Sequence, residues 1–378
     1  MSSARGVRVV LDARPIQDPD RSPLAAAYLD SLLGAYDADP LPGESFALLL
    51  RSDLDDPTAG RSGLEVVGRR LLPPTGWLRS AAQTVDPFLL RGASLGAAWR
   101  AERSGAQGAV YHAVGAGTLP IGSSLPLVVT LLDLAPWEWP ERFGTTPGAR
   151  FGQRLRGQLL RGAAAVIVGT TAVGRELRRL VHVRPDRVRI VPLAARPAFG
   201  LDRGGGVDGS HDIVHLGLPS RYLVYPGRYD ARHDLATLLA ALASLSSAGR
   251  PAELPPAVPW PPQVLLVGAS PDDRAALARR AARVGVGDSL TYAPALSPTR
   301  LAGLLREARS ALLPVVSDAA GLAAIEALAC GTPVIASAVG ALPEVIGAAG
   351  LLVEPRDPAR LAAALRAMWL DDDLHRRS

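Results

Sequence analysis

Residues 311–354 read ALLPVVSDAAGLAAIEALACGTPVIASAVGALPEVIGAAGLLVE and carry the clearest structural pattern in the chain. It contains a β-run that ends near Val316, a short glycine-containing turn, an apolar helix and a second β-run that ends at Ser337. Gly331 is placed to end the helix, and Pro333 follows it. A strand, a helix and a strand in this order predict a β-α-β unit of a parallel sheet.

One carboxylate, Glu326, lies inside the otherwise apolar helix. A buried carboxylate costs free energy unless it reaches water, a partner or a bound polar molecule. Asp318 stands where it can cap the helix. The free N–H groups of Ala320, Gly321 and Leu322 are expected to point beyond the carboxyl edge of the sheet, where open α/β sheets bind ligands. Such donors favour an anion such as a phosphate.

The rest of the chain continues the same alternation of strand and helix. At 378 residues, with 48% hydrophobic and 20% charged residues, it predicts a globular protein of two domains. We expect an α/β fold of two doubly wound, Rossmann-like domains facing a central cleft. The predicted boundaries are an N-terminal acceptor-side domain over 1–195, a glycine-rich linker over 196–218 and a C-terminal nucleotide-sugar-binding domain over 219–378. Residues 251–262 are rich in proline and predict a stiff surface insertion.

Charge and cysteine content exclude several classes of protein. The net charge is only +5, and the basic residues, all of them arginine, are scattered among acids, so no nucleic-acid partner is expected. The single cysteine, Cys330, permits neither a disulfide framework nor a thiolate metal site, and no metal is expected. A predicted strand begins at Val7, and no apolar region typical of a signal peptide is seen at this position, so no signal peptide is expected. We therefore expect a cytoplasmic protein, with peripheral contact at the inner face of the membrane left open.

The motifs together resemble the retaining glycosyltransferases of family 4, the mannosyltransferase-like group 1 enzymes with a GT-B fold. The family patterns ACGxPVxxSxxGxLPEV and GLLVxPxD match within 329–345 and 350–357. The resemblance implies transfer of a hexose from a nucleoside-diphosphate sugar to an acceptor hydroxyl, with retention of configuration. It also implies a UDP- or GDP-linked donor as substrate, no further cofactor, and a glycan, lipid or small molecule as acceptor.

The resemblance assigns roles to residues of the second domain. Asp318 would be a catalytic residue that faces the hydroxyls of the transferred sugar, the amides of residues 320–322 would approach sugar or phosphate, and Glu326 would accept hydrogen bonds from the ribose. A plainer alternative stays open, in which Glu326 pairs with an arginine and Asp318 only caps the helix.

The turn Tyr225-Pro226-Gly227-Arg228-Tyr229 resembles the family's strand-to-helix turn, which holds the donor diphosphate. A guanidinium can bind phosphate through two N–H groups, and Arg228 fits that role. The family's lysine falls on His233, which is charged only when protonated. The neighbouring Arg232 would compensate for it in donor binding.

Residues of the first domain depart from the family pattern. Asp133 is expected in the catalytic group, but Leu132 stands where the family often has a histidine, and residues 22–27 replace a glycine-rich turn. These departures favour an alternative: a degenerate, non-catalytic protein that binds a nucleotide-sugar or a partner enzyme. An epimerase of the same architecture is a third possibility.

Two side chains are candidates for the acceptor side. Trp137 combines an apolar ring with a polar edge and would serve as a platform for a sugar or a lipid. The alternative is that Trp137 and Trp139 pack beneath their own loop. His112 ends a predicted strand and would contact ligand, or it is a histidine of the core.

Overall fold

The computed structural model describes residues 6–72, 108–121, 124–201 and 209–377. Contacts within the chain divide it into two compact units, Met1–Pro192 and Leu193–Ser378. Each unit contains one parallel sheet with helices, so the predicted α/β class with two doubly wound, Rossmann-like domains is confirmed.

The first unit is built on seven parallel strands in the order β3-β2-β1-β4-β5-β6-β7. The strands are β1 (Val7–Asp12), β2 (Glu44–Arg51), β3 (Val66–Leu72), β4 (Gly108–Val114), β5 (Leu127–Thr130), β6 (Ala165–Val168) and β7 (Val188–Ile190). The helices are α1 (Arg14–Gln17), α2 (Pro23–Ala38), α3 (Ala135–Glu138), α4 (Pro140–Phe143), α5 (Pro147–Gly162) and α6 (Thr171–Val181). The strand order reverses between β1 and β4, which is where a ligand site is expected in such a sheet.

The sequence did not predict β3. This strand lies at the edge of the sheet and pairs only with β2 among the described residues. Gly68 and two arginines interrupt its apolar character, and its side chains alternate between exposed and half-buried. An edge strand needs only one apolar face, so the pattern is weak over seven residues.

The second unit has six parallel strands in the order β10-β9-β8-β11-β12-β13. The strands are β8 (Leu223–Tyr225), β9 (Val264–Val267), β10 (Leu290–Ala293), β11 (Ser310–Leu313), β12 (Val334–Ser337) and β13 (Gly350–Val353). The helices are α7 (Gly209–His215), α8 (Leu235–Ser247), α9 (Pro271–Arg283), α10 (Pro298–Glu307), α11 (Leu322–Ala329), α12 (Leu342–Ile346), α13 (Pro358–Leu370) and α14 (Asp372–Arg377). Here the order reverses between β8 and β11.

The second unit has two apolar cores, one on each face of its sheet, and successive residues of a strand point into opposite cores. In β8, Leu223 and Tyr225 pack with α8, α9 and α13, whereas Val224 packs with α10, α11 and α12. Because both faces of the strands are buried, they read as continuous apolar runs in the sequence. Cys330 is buried in the second of these cores.

Parts of the segment predicted as a linker, 196–218, pack into the second unit. Phe199 and Leu218 are buried in its core, and α7 forms within the segment. The buried carboxylate of Asp212 accepts a hydrogen bond from Arg300 Nε at 3.0 Å. The glycine content of this segment therefore does not reveal that some of its side chains belong to the core of the second unit.

The proline-rich segment 251–262 is also more than a surface insertion. Leu254 and Val258 are buried in the core beside α8 and α13. The indole N–H of Trp260 donates to the Leu245 carbonyl at 3.2 Å, and that of Trp369 donates to the Pro259 carbonyl at 3.1 Å. Proline stiffens the segment, but its apolar side chains fix it against the two helices.

Candidate functional site

The turn after β8 places Arg228 at the point where the strand order of the second sheet reverses. Gly227 has a φ of 107°, and a Cβ there would stand 2.9 Å from the Val267 carbonyl oxygen, so only glycine fits. Arg228 itself has a φ of 74°, which is costly for a residue with a side chain. The hydroxyl of Tyr225 donates to the Arg228 carbonyl and holds this conformation. Strained backbone of this kind is often found at ligand sites.

Asp230 binds two side chains that follow it in the sequence, those of Arg232 and His233. Its carboxylate accepts from the Arg232 guanidinium at 2.7 Å and lies 3.1 Å from Nδ1 of His233. Burial raises the pKa of Asp230, but the hydrogen bonds from His233 and the Arg232 amide outweigh it and leave that pKa well below its usual range. The predicted donor-binding residues Arg232 and His233 therefore share one internal hydrogen-bonding partner, Asp230, which the sequence reasoning missed.

A short antiparallel contact brings this turn to the end of β11. His233 pairs with Val315, and the Val316 amide donates to the Arg232 carbonyl at 2.7 Å. The structure thus brings Arg228, Arg232 and His233 to the same end of the sheet as Asp318. The strand itself ends at Leu313, two to three residues before the predicted end, because residues 315–316 pair with the turn instead.

Asp318 has a different local role from the one predicted for the helix start. Its Oδ1 accepts from the amides of Ala320 at 3.0 Å and Gly321 at 2.7 Å, and α11 begins only at Leu322. Two of the three amides expected to be free are therefore occupied. Gly321 adopts a left-handed conformation with φ 65°, which redirects the chain into the helix.

The surroundings of Asp318 are partly electropositive. Burial raises the pKa of the Asp318 carboxyl, while the N–H groups of Gly321 and Ala320 and the nearby His233 and Arg228 oppose that rise. The Asp318 carbonyl accepts from the Ala341 amide at 2.8 Å, beside Gly340. A Cβ on Gly340 would stand 1.9 Å from that carbonyl oxygen, so glycine is required for the two segments to meet.

Glu326 pairs with an arginine, which is the plainer of the two alternatives that the sequence left open. It is 5% exposed, and it is held by Arg196, whose Nε lies 2.5 Å from Oε1 and whose Nη2 lies 3.1 Å from Oε2. The guanidinium also lies over the Phe199 ring, 5.0 Å from its centroid. Burial raises the pKa of Glu326, and Arg196 opposes that rise. The pairing joins residues 130 positions apart, and no local sequence signal indicates it.

In the first unit, Asp133 and His112 both make local contacts. Asp133 Oδ1 accepts from the Ala135 amide at 3.0 Å, at the start of α3. His112 Nε2 lies 2.9 Å from Thr130 Oγ1, and burial lowers the pKa of His112 from 6.5 to about 4. Leu132, at the position where a histidine was expected, is buried in the core.

Trp137 lies beside α5 of the first unit and borders an open groove. Its Nε1 lies 3.4 Å from the position that a Cβ on Gly157 would take, and it lines a groove of about 590 Å³ together with parts of α4, α5 and α6. Trp139 lies instead beside the Arg142 guanidinium, 5.9 Å from its ring centroid.

Two negative observations concern only the part of the chain that the structure describes. No group of three histidine, cysteine, aspartate or glutamate side chains there is arranged to hold a metal ion. None of the helices in these ranges combines the length and the hydropathy needed to cross a bilayer.

Two Rossmann-like units define this chain as an α/β protein of the GT-B type. In the second unit, Arg232 and His233 contact Asp230 in the turn at the strand reversal. Solved structures support the fold. The chain aligns over 98% of its length with sucrose-phosphate synthase from Thermosynechococcus elongatus, covering 91% of that chain at a TM-score of 0.70 and 22% identity. It aligns equally far with Anabaena HepE in complex with UDP and glucose, covering 92% of that chain at a TM-score of 0.69 and 16% identity.

Sequence comparisons support the same resemblance. Residues 220–371, which make up most of the second unit, match the family model described as glycosyl transferases group 1, so the resemblance seen in the motifs is confirmed. D-inositol 3-phosphate glycosyltransferases are among the relatives. That of Acidothermus cellulolyticus is 32% identical over 57% of this chain and 48% of its own length, and that of Streptomyces scabiei is 35% identical over 55% and 46%. The chain spans about half the length of these curated relatives.

Proposed function

We propose that this protein transfers a hexose from a nucleoside-diphosphate sugar to an acceptor hydroxyl, with retention of configuration. The observation that carries the proposal is the arrangement at the strand reversal of the second sheet, where Arg228 and His233 lie near Asp318. A cation for the diphosphate and a carboxylate for sugar hydroxyls are what such a donor requires. The HepE complex with UDP and glucose supports a UDP-linked hexose, with GDP as the other base to test.

In this proposal Arg228 binds the diphosphate. The Arg232 guanidinium is paired with Asp230, so its charge is already partly balanced. Arg228 forms no ion pair with a described carboxylate and can offer its fork of N–H groups to phosphate oxygens. His233 adds a full positive charge only when it is protonated. We therefore expect Arg228 to contribute most of the stabilisation of charge on the departing nucleotide.

Asp318 contacts the sugar in this proposal. Its Oδ1 is held by two amides, which fixes the carboxylate without using Oδ2 in any hydrogen bond recorded among the described residues. Oδ2 can then accept from a sugar hydroxyl and orient the ring. The amides of Ala320 and Gly321 act on the donor through Asp318 rather than directly, which leaves Leu322 as the predicted amide for the anion.

Retention needs no protein nucleophile in this mechanism. The leaving phosphate oxygen takes the proton of the acceptor hydroxyl, while Arg228 stabilises the charge that develops on the nucleotide. Asp133 of the first unit is proposed to contact the reacting sugar. The acceptor is proposed to be a glycan, a lipid or a small molecule, with Trp137 and His112 as candidate contacts.

A calorimetric panel of UDP, GDP, UDP-glucose and GDP-mannose tests the donor class. We expect micromolar binding of one base series and release of that nucleotide when a competent acceptor is supplied. Absence of saturable binding by every member of the panel would contradict the proposal. Asp318→Asn is the informative variant, because it should keep nucleotide binding while slowing sugar transfer.

One observation favours a second candidate, a non-catalytic binding protein. The carboxylate expected to hold the ribose is bound by Arg196 through two hydrogen bonds. If a nucleotide cannot displace or share this contact, the site would bind only part of a donor. Nucleotide binding without sugar release under any acceptor condition would favour this candidate over the transferase.

A further inference from the structure

The groove beside Trp137 lies wholly within the first unit and carries an unusual concentration of arginine. Its volume is about 590 Å³, and its walls come from α4, α5 and the end of α6. Arg150, Arg154 and Arg161 line it, whereas Glu141 is its single acidic lining residue. Three guanidiniums thus face one carboxylate, and the groove has a net positive charge.

The helical spacing explains why the arginines gather on one side. Positions 150, 154 and 161 of α5 are four and seven residues apart, so they share a face of the helix. Gly157 lies in the same stripe and has no side chain to fill the space above the Trp137 ring. A larger residue there would narrow the groove at its middle.

Some arginines of the first unit have carboxylate partners, which the arginines of this groove lack among the described residues. Arg179 pairs with Glu176, and Arg184 pairs with Asp186. Within the described residues, no carboxylate lies at ion-pair distance from Arg150 or Arg154, and Arg161 makes only a 3.4 Å contact to the Val181 carbonyl. Trp137 Nε1, beside Gly157, likewise has no recorded acceptor in these ranges. Donors are therefore in excess over acceptors along the groove.

We propose that this groove binds a phosphate group, carried by a small phosphate ester or by a lipid headgroup. A carboxylate is satisfied by one guanidinium fork, whereas a phosphate presents enough oxygens for several. The Trp137 ring offers an apolar surface and an indole N–H to the rest of the ligand. This inference does not depend on the donor site, although it shares Trp137 with the acceptor contacts proposed above.

Titration of the full chain with glycerol 3-phosphate, followed by calorimetry, tests the proposal. We expect saturable binding that weakens at least tenfold in the Arg150→Gln/Arg154→Gln variant and weakens with added NaCl. The matched control is Arg175→Gln/Arg178→Gln, which removes the same charge from exposed positions of α6 that do not line the groove. That control should stay within twofold of the wild type.

A second arm distinguishes the two sources of phosphate. Sedimentation with phosphatidic acid vesicles, against phosphatidylcholine vesicles, reports on a lipid headgroup. Binding to the acidic vesicles that is lost in the Arg150→Gln/Arg154→Gln variant and kept in the control supports the lipid source, and specific binding of glycerol 3-phosphate supports the soluble one. No saturable binding in either arm, or equal loss in both double variants, overturns the proposal. Circular dichroism spectra of each variant exclude misfolding as the cause of a loss.

Discussion

Arg196 binds Glu326 through two parallel N–H···O contacts of 2.5 and 3.1 Å, at the beginning of the second unit and in the middle of α11. The glutamate side chain is 7% exposed and the arginine side chain 25%, so the pair is largely withdrawn from water. Arg196 therefore compensates the charge that would otherwise make α11 unfavourable to bury.

Arg196→Ala should destabilise the second unit by about 2 kcal/mol, because it leaves a buried carboxylate without its partner. Urea unfolding followed by circular dichroism measures the change. Replacing Glu326 by Gln in the same background should recover part of the loss, since a neutral amide is less costly to bury. Arg184→Ala is the matched control, because its ion pair is exposed and should leave stability unchanged. Equal losses of unfolding free energy in the two arginine variants would show that the Glu326 pair contributes no more to stability than an exposed ion pair.

Arg228→Gly should separate stability from ligand binding. Glycine adopts the left-handed conformation of this position without strain, so the free energy of unfolding should stay the same or rise by up to about 1 kcal/mol. UDP affinity should fall by about tenfold, the equivalent of one charge-assisted hydrogen bond, while uridine affinity stays unchanged. Arg228→Ala should lose the same affinity without the gain in stability. A parallel loss of uridine and UDP binding would remove Arg228 from the phosphate site.

Gly340→Ala should damage the Asp318 loop. The new Cβ would meet the Asp318 carbonyl oxygen at 1.9 Å and would also face the strain of φ 56°, so we expect a loss of about 3 kcal/mol or more. Gly217→Ala has similar backbone strain, at φ 62°, but open space around its Cβ, and should cost about 1 kcal/mol. Thermal unfolding of the two variants compares them directly. A Gly340→Ala variant as stable as Gly217→Ala would mean that the two segments do not meet this closely.

His112 should make the first unit sensitive to acid. Its pKa is lowered from 6.5 to about 4, so between these values the unfolded chain binds a proton that the folded chain does not. Stability from this group is therefore complete above pH 6.5 and is lost as the pH falls towards 4, by up to about 3 kcal/mol. His112→Gln should lose less stability over this interval, as measured by urea unfolding at pH 7, 5.5 and 4.5. Identical pH profiles for the two proteins would contradict a His112 that stays neutral in the folded protein.

Most of the fold could be predicted because both faces of the inner strands are buried. Runs such as Val264–Val267 and Ala165–Val168 are uniformly apolar, as expected of strands inside a parallel sheet. The edge strand Val66–Leu72 was missed because a glycine and two arginines in its middle interrupt the apolar run. Segments 196–218 and 251–262 were judged by glycine and proline content, whereas a few apolar side chains decide where they pack.

The site was less predictable, because its contacts join distant parts of the chain. The turn at Arg228 was found from a local pattern, and the structure does bring it to Asp318. The partner of Glu326 was not found, since Arg196 is 130 residues away and no spacing rule connects them. Likewise, the loop geometry that lets Asp318 occupy the amides of Ala320 and Gly321 depends on the left-handed Gly321 rather than on the helix pattern.

The packing of residues 251–262 has a practical consequence for protein engineering. Loops rich in proline are commonly chosen as points for domain insertion or circular permutation, because they are assumed to be superficial. A reporter domain inserted after Pro259 would break the hydrogen bond from the buried Trp369 indole to the Pro259 carbonyl. It would also expose apolar side chains between α8 and α13. Fusion partners are better attached elsewhere on this chain.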